Sequence, residues 1–87
     1  MGKTGHTNLH RNIRSLRKAN GESQLELALA IGVSGSSTIS NYEAGRNTPD
    51  LDLCLRIAAH YGVTLDALVY GEFEGALPEE SEKGERK

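Results

Sequence analysis

Four glycines divide residues 8–71 into five short segments in which apolar residues recur at helical spacing. Each glycine follows such a stretch, at the position where a residue in the left-handed conformation commonly ends a helix. They are Gly21, Gly32, Gly45 and Gly62. No stretch of useful length alternates apolar and polar residues, as a half-buried strand would. The pattern therefore predicts an all-α domain of five helices spanning residues 8–71.

The starts of three helices can be read from residues that cap helices. Ser23 and Glu26 have the spacing of a capping box, and Asp50 is a good N-cap after Pro49. The fifth helix is expected to begin at Thr64. The residues expected to face the core are Leu9, Ile13 and Leu16 in the first helix, Leu27, Ala28 and Ile31 in the second, Ile39 and Tyr42 in the third, Leu51, Cys54, Leu55 and Ala58 in the fourth, and Leu65, Leu68 and Val69 in the fifth.

Length and cysteine content bound the class of protein. The 87 residues suffice for one small domain, which has little room for an enclosed catalytic pocket. The single cysteine, Cys54, has no intramolecular partner, and the N-terminal sequence lacks a secretory apolar stretch. No run of apolar residues is long enough to span a membrane. We therefore expect a cytoplasmic protein without disulfides and with no membrane partner.

Charge is distributed unevenly along the chain. The formal net charge is −2, yet residues 1–20 contain five basic residues and no acidic one. Residues 72–87 contain six glutamates against three basic residues. This C-terminal segment is expected to be a flexible, acidic tail, disordered from about Ala76, because it cannot bury enough apolar surface to offset its ordering entropy. Charge alone does not distinguish a solvated first helix from a nucleic-acid-binding one.

The second and third helices are joined by only four residues, 32–35 (GVSG). Two short helices joined by a tight, glycine-containing turn, the second of them polar, form the helix-turn-helix arrangement. In that arrangement the second helix fits the major groove of duplex DNA, which is wide enough for one α-helix.

The residues around this turn resemble the lambda-repressor/Cro-type (XRE) family. The resemblance rests on 23–28 (SQLELA), 31–34 (IGVS), 38–45 (TISNYEAG), 49–51 (PDL), 57–58 (IA) and 62–66 (GVTLD). It implies a five-helix lambda-repressor-like DNA-binding domain and a bacterial or phage-encoded, sequence-specific regulator of repressor type. The double-stranded DNA would be bound with the recognition helix at about residues 36–44.

The resemblance also implies roles for individual positions. Gln24 matches a residue that touches the DNA backbone and sometimes a base, while Arg46 and Asn47 match a loop that meets phosphate. Base-facing positions match Ser36, Ser37 and Asn41. Arg17 and Glu43 match an ion pair that joins the first helix to the third.

Helical geometry independently favours a contact face on the third helix. At about 100° per residue, Ser36, Ser37, Ser40 and Asn41 share one face, opposite Ile39 and Tyr42. An ordinary solvated face usually has Lys and Glu, whereas Ser and Asn allow a partner to approach closely. Ser34 completes the candidate DNA-binding set.

Two features depart from the family pattern. The turn is one residue longer than usual, which leaves the N-cap of the third helix open among Ser34, Gly35 and Ser36. The recognition helix also contains no Arg, Lys or Gln, so the bidentate arginine contact to guanine is missing.

A homodimer is expected on a two-fold symmetric operator, because one module covers only a small area of DNA. The expected interface is the end of the fifth helix and the residues after it: Leu68, Val69, Tyr70 and Phe73. The alternative is that Phe73 folds back on its own domain.

Two other functional classes are weighed against DNA binding. The rival is a protein-interaction module, such as an antitoxin or antirepressor with a regulatory protein partner, because one fold serves many functions. An enzyme is disfavoured: Ser15 and Lys18 fit a hydrolase spacing, but no companion motif accompanies them. The histidines and Cys54 lack metal-ligand spacing, so neither a metal nor a cofactor is predicted.

Overall fold

The computed structural model describes residues 7–73, which form five α-helices and, within that range, no strand. The helices are α1 (Leu9–Ala19), α2 (Gln24–Ile31), α3 (Ser36–Ala44), α4 (Leu51–Tyr61) and α5 (Leu65–Tyr70). The five-helix, all-α prediction is confirmed. The predictions for the tail from residue 76 onward lie outside the described residues.

Three helices begin where the sequence predicts, at residues whose side chains accept backbone N–H groups. The Ser23 hydroxyl accepts from the Glu26 amide at 3.0 Å, and the Glu26 carboxylate accepts from the Ser23 amide at 2.8 Å, which completes the capping box. Asp50 caps α4 by accepting from the Leu53 amide at 2.9 Å. Thr64 caps α5 in the same way.

Each helix contributes a fully buried residue to one common core. Ile13, Leu27, Ile39, Ile57 and Leu68 all have 0% of their surface exposed. Cys54 is also buried, as expected, and burial raises the pKa of its thiol. Because the five buried side chains come from five helices, the loss of any one of them is expected to loosen the whole domain.

The predicted buried face of α4 is partly wrong. Leu51 and Leu55 are 64% and 48% exposed, whereas Ile57, which the prediction omitted, is completely buried. The faces that begin at Leu51 and at Cys54 have the same helical spacing, so periodicity alone did not separate them. Packing buries the face that begins at Cys54, and Leu51 and Leu55 remain on the surface.

Two asparagines join α1 to the end of α5. The buried Asn12 side chain donates to the carbonyls of Leu68 and Gly71, both at 2.8 Å. Asn8 donates to the carbonyls of Gly71 at 2.9 Å and Tyr70 at 3.2 Å. These bonds satisfy carbonyls that a helix end leaves without an intrahelical partner. They hold α5 against α1.

The turn between α2 and α3 fixes the start of the third helix. Gly32 ends α2 with φ +81°, a conformation that residues with a Cβ rarely adopt. Gly35 is the N-cap of α3, so the choice left open among Ser34, Gly35 and Ser36 is settled. The connection therefore contains four residues, 32–35.

Candidate nucleic-acid interface

The exposed surface of α3 is small and polar. Ser36 and Ser37 are exposed, and Ser40 and Asn41 are half-buried. We call these four residues the α3 polar face. Ile39 and Tyr42 are buried on the opposite side, so α3 is fixed to the core by its apolar residues. The geometry predicted for this helix is therefore present.

The beginning of α3 is open. No side chain caps its first amides, and Ser34 instead lies with its hydroxyl 3.4 Å from that of Thr38. Open amides and short hydroxyl side chains give this end of the helix several hydrogen-bond donors without bulk.

Asn41 and Arg46 are linked at the other end of the α3 polar face. Arg46 Nη1 donates to Asn41 Oδ1 at 3.3 Å, and the backbone amides of Arg46 and Asn47 approach the Asn41 carbonyl at 3.0 and 3.4 Å. The Oδ1 atom has a second lone pair, and Nδ2 has two donors. The side-chain amide of Asn41 can thus still form a pair of hydrogen bonds with a base edge.

The structure pairs Arg17 with Glu43, and Gln24 joins them. Arg17 Nε lies 2.6 Å from Glu43 Oε2, and Gln24 Nε2 donates to Glu43 Oε1 at 3.1 Å. The hydrogen bond to Glu43 raises the pKa of Arg17 above its ordinary value and outweighs the opposing effect of burial. Gln24, at the start of α2, is therefore held beside the C-terminal half of α3.

The surface expected to form a dimer is only partly exposed. Leu68 is fully buried in its own domain, so its side chain contributes core packing and no outer surface. Tyr70 is 63% exposed, whereas Val69 and Phe73 are half-buried.

A cluster that the sequence did not indicate joins the α1–α2 turn to α4. Glu22 Oε2 lies 2.5 Å from His60 Nε2, and Glu22 Oε1 accepts from the Tyr61 hydroxyl at 2.6 Å. Burial raises the pKa of Glu22, but hydrogen bonds from Tyr61 and His60 outweigh it, and the pKa is lowered. Glu22 is nearly 40 positions from His60 and Tyr61, so no local spacing in the sequence indicates the contact.

Within residues 7–73, no group of His, Cys, Asp and Glu is placed to hold a metal ion. In the same range, none of the helices has the length and apolar character needed to cross a membrane.

Comparison with solved structures gives close matches to this fold. The P22 c2 repressor, solved in complex with the synthetic operator 9T in the presence of Tl⁺, has a TM-score of 0.68 and 26% sequence identity, with 74% of this chain and 96% of that chain covered. A transcriptional regulator from Listeria innocua has a TM-score of 0.69 and 25% identity over 74% of this chain. The present chain spans 59% of the Listeria chain. No match was found among curated proteins.

The sequence matches the helix-turn-helix family over residues 13–68, which is well over half of the chain and includes parts of all five helices. The match contains the capping box, the α2–α3 turn and the Arg17–Glu43 pair. This chain belongs to the helix-turn-helix family of the lambda-repressor/Cro (XRE) type.

Proposed function

We propose that this protein is a sequence-specific, DNA-binding transcriptional regulator that places α3 in the major groove of duplex DNA. The observation on which this rests is the α3 polar face: short polar side chains on a helix whose opposite side is fixed in the core. An α-helix with such a face can approach base edges closely. The similarity to a repressor bound to its operator supports the same function.

The residues have distinct roles in this proposal. Asn41 reads a base, since an asparagine amide can bond adenine N6 and N7 together. Gln24 and Arg46 flank α3 and contact the DNA backbone, with Asn47 beside them. Backbone contacts set the register of the protein on the duplex but do not distinguish sequences.

Selection from a random pool of duplexes, followed by binding measurements on the selected site, tests this function. Asn41→Ala should weaken binding to the selected site by about 1–3 kcal/mol and relax the preference at one base pair. Arg46→Gln should weaken binding to selected and random duplexes equally. Arg56→Gln is the charge-matched control, because Arg56 lies on α4 and pairs with Asp52. Arg56 also donates to the Ile31 carbonyl at 3.1 Å, so thermal melting of this variant is measured beside its DNA binding. Failure of the protein to bind any duplex at ~50 mM salt, where phosphate-driven binding is strong, would refute the proposal.

The proposal includes a homodimer, as a single module buries roughly 600–1,000 Å² against DNA and gains affinity by pairing. Tyr70 is the exposed aromatic residue at the proposed interface. Such a regulator would act in the bacterial cytoplasm, on a chromosomal or phage operator.

A second candidate function, a protein-interaction module, is favoured by exposed leucines on two helices. Leu25 and Leu29 are 51% and 70% exposed on α2, and Leu51 and Leu55 are exposed on α4. Exposed apolar side chains are enriched where proteins bind partners. Stable co-purification with a second protein, together with no salt-sensitive DNA binding, would favour this function over the first.

A further inference from the structure

The positive charge of the described domain is concentrated on α1. Residues 7–73 contain six Lys and Arg residues. Arg17 pairs with Glu43, and Arg56 pairs with Asp52. The remaining four form no ion pair within residues 7–73. Three of them, Arg11, Arg14 and Lys18, lie on α1, and the fourth, Arg46, lies in the loop after α3.

The recognition helix cannot supply the electrostatic part of DNA binding. It contains no Lys or Arg, and Arg46 is the nearest cation that follows it in the sequence. The logarithm of the binding constant falls with the logarithm of salt concentration by about 0.9 per phosphate neutralised. One cation per protomer would give a slope near −1, much shallower than the slope of a protein that makes six to ten phosphate contacts.

The positions of His10 and Arg17 show that α1 lies along the C-terminal end of α3. The His10 ring lies 3.7–3.9 Å from the position that a Cβ would occupy at Gly45. Two helical turns further along α1, Arg17 binds Glu43. Arg14 lies one turn after His10 and about one turn before Arg17, so it shares their edge of α1.

Arg14 and Lys18 are free to meet a partner. Both are exposed, and they follow His10 at intervals of four residues along one side of the helix. α1 has no acidic residue in its first turn, and none occurs anywhere along its sequence. We call Arg14 and Lys18 the α1 basic pair.

We propose that the α1 basic pair contacts the phosphate backbone of DNA and supplies most of the electrostatic binding energy, while the α3 polar face reads the bases. This inference rests on the proposed function and adds to it a second DNA-binding element. The ligand of the α1 basic pair is the phosphodiester backbone of the duplex. Because this backbone is the same for every base sequence, the contact gives no sequence preference.

Arg11 provides an internal control on the same helix. Its Nη2 donates to Asn8 Oδ1 at 2.7 Å, and Asn8 in turn binds carbonyls at the end of α5. Arg11 lies seven residues before Lys18 and close to it around the helix axis, but its bond to Asn8 holds its guanidinium at the N-terminal end of α1, beside α5. Its charge equals that of Arg14, and it differs from Arg14 in its bond to Asn8 and in its place at the start of α1.

The test measures binding to the selected site and to a random duplex across a salt series. The double variant Arg14→Gln/Lys18→Gln should reduce the slope by about 1.8 per protomer and weaken binding to both duplexes about 10–60-fold per bound protomer at ~0.1 M salt. Arg11→Gln should leave the slope nearly unchanged. The charge-retaining variant Arg14→Lys/Lys18→Arg should restore the parent slope, and unchanged thermal melting would show that all variants fold.

Two results would overturn the inference in distinguishable ways. An unchanged slope in the double variant, with a reduced slope in Arg46→Gln, would refute the role of α1 and leave the DNA-binding function intact. Equal slope losses in Arg11→Gln and Arg14→Gln would show a general charge effect instead of a defined contact. No binding of the parent protein to any duplex would overturn both the inference and the function.

Discussion

Arg17 binds Glu43 through two hydrogen bonds, Nε to Oε2 at 2.6 Å and Nη2 to Oε1 at 3.1 Å. The third nitrogen, Nη1, donates to the carbonyl of Glu22 at 2.8 Å. One guanidinium thus joins α1, the α1–α2 turn and α3. Gln24 shares Glu43, so the same network orients a residue proposed to contact DNA.

Removing Glu43 should destabilise the domain strongly. The side chains of Arg17 and Glu43 are 11% and 7% exposed, so Glu43→Ala would leave a charge buried without its partner. Such a loss typically costs about 3–5 kcal/mol, a large part of the stability of a small domain. Asp52→Ala is the matched control, because the Asp52–Arg56 pair is exposed and contributes at most about 1 kcal/mol. Chemical denaturation of both variants checks the difference, and a Glu43→Ala protein as stable as Asp52→Ala would contradict it.

Replacing the buried amide of Asn12 should also destabilise the domain. Asn12→Ala leaves the carbonyls of Leu68 and Gly71 without its two hydrogen bonds. The Gly71 carbonyl keeps its bond from Asn8, so the buried Leu68 carbonyl is the group left unsatisfied, and we expect a loss of about 1–3 kcal/mol. Asn47→Ala, at an exposed loop position, should change stability by less than about 0.5 kcal/mol. Similar unfolding midpoints for the two variants would show that Asn12 is not needed to hold α5.

The sequence predicted the helices well because their ends depend on local chemistry. The side chains of Ser23, Asp50 and Thr64 accept from amides only three residues away, so their roles follow from residue type and spacing. The face of α4 was predicted less well, since two overlapping apolar patterns fit the same helix. Tertiary packing, which buries Ile57 and exposes Leu51, decides between them.

The candidate site could also be predicted from the sequence only in part. The α3 polar face follows from the helical period, and the Arg17–Glu43 pair followed from the family resemblance. In contrast, the position of the His10 ring beside Gly45 and the bonds of Asn12 to α5 depend on how α1 crosses the other helices. Nothing in the spacing of these residues encodes that crossing, so the arrangement of α1 beside α3 emerged only from the fold.

Acid should weaken the domain through Glu22. Its pKa is lower in the folded protein than the ordinary value of 4.5, despite the opposing effect of burial. A carboxyl whose pKa is depressed by folding stabilises the protein above its unfolded pKa, and that stability is lost as pH falls through the folded pKa.

The test compares melting temperatures of the parent and Glu22→Gln from pH 7 to about pH 3. At pH 7 the variant should be less stable by about 1–2 kcal/mol, because it loses hydrogen bonds to a charged acceptor. As the pH falls below about 4.5 and through the lowered pKa of Glu22, the difference between the two proteins should shrink. Asp66→Asn, an exposed carboxylate on α5, is the control for general charge effects. A constant difference between parent and Glu22→Gln across this range would contradict the assignment.

Dimerisation should depend on Tyr70. This residue is 63% exposed at the end of α5, and Val69 and Phe73 lie half-buried beside it, so an apolar surface remains where the helices end. Aromatic residues often provide the largest contributions at interfaces, and truncating one commonly costs more than about 1.4 kcal/mol, or tenfold in affinity. Tyr70→Ser should therefore weaken self-association at least tenfold in sedimentation equilibrium.

Leu29→Ser is the matched control, because Leu29 is 70% exposed on α2, a helix outside the proposed interface. A parent protein that sediments as a monomer at the concentrations that saturate its operator would rule out the homodimer, and equal effects of both substitutions would place the interface elsewhere.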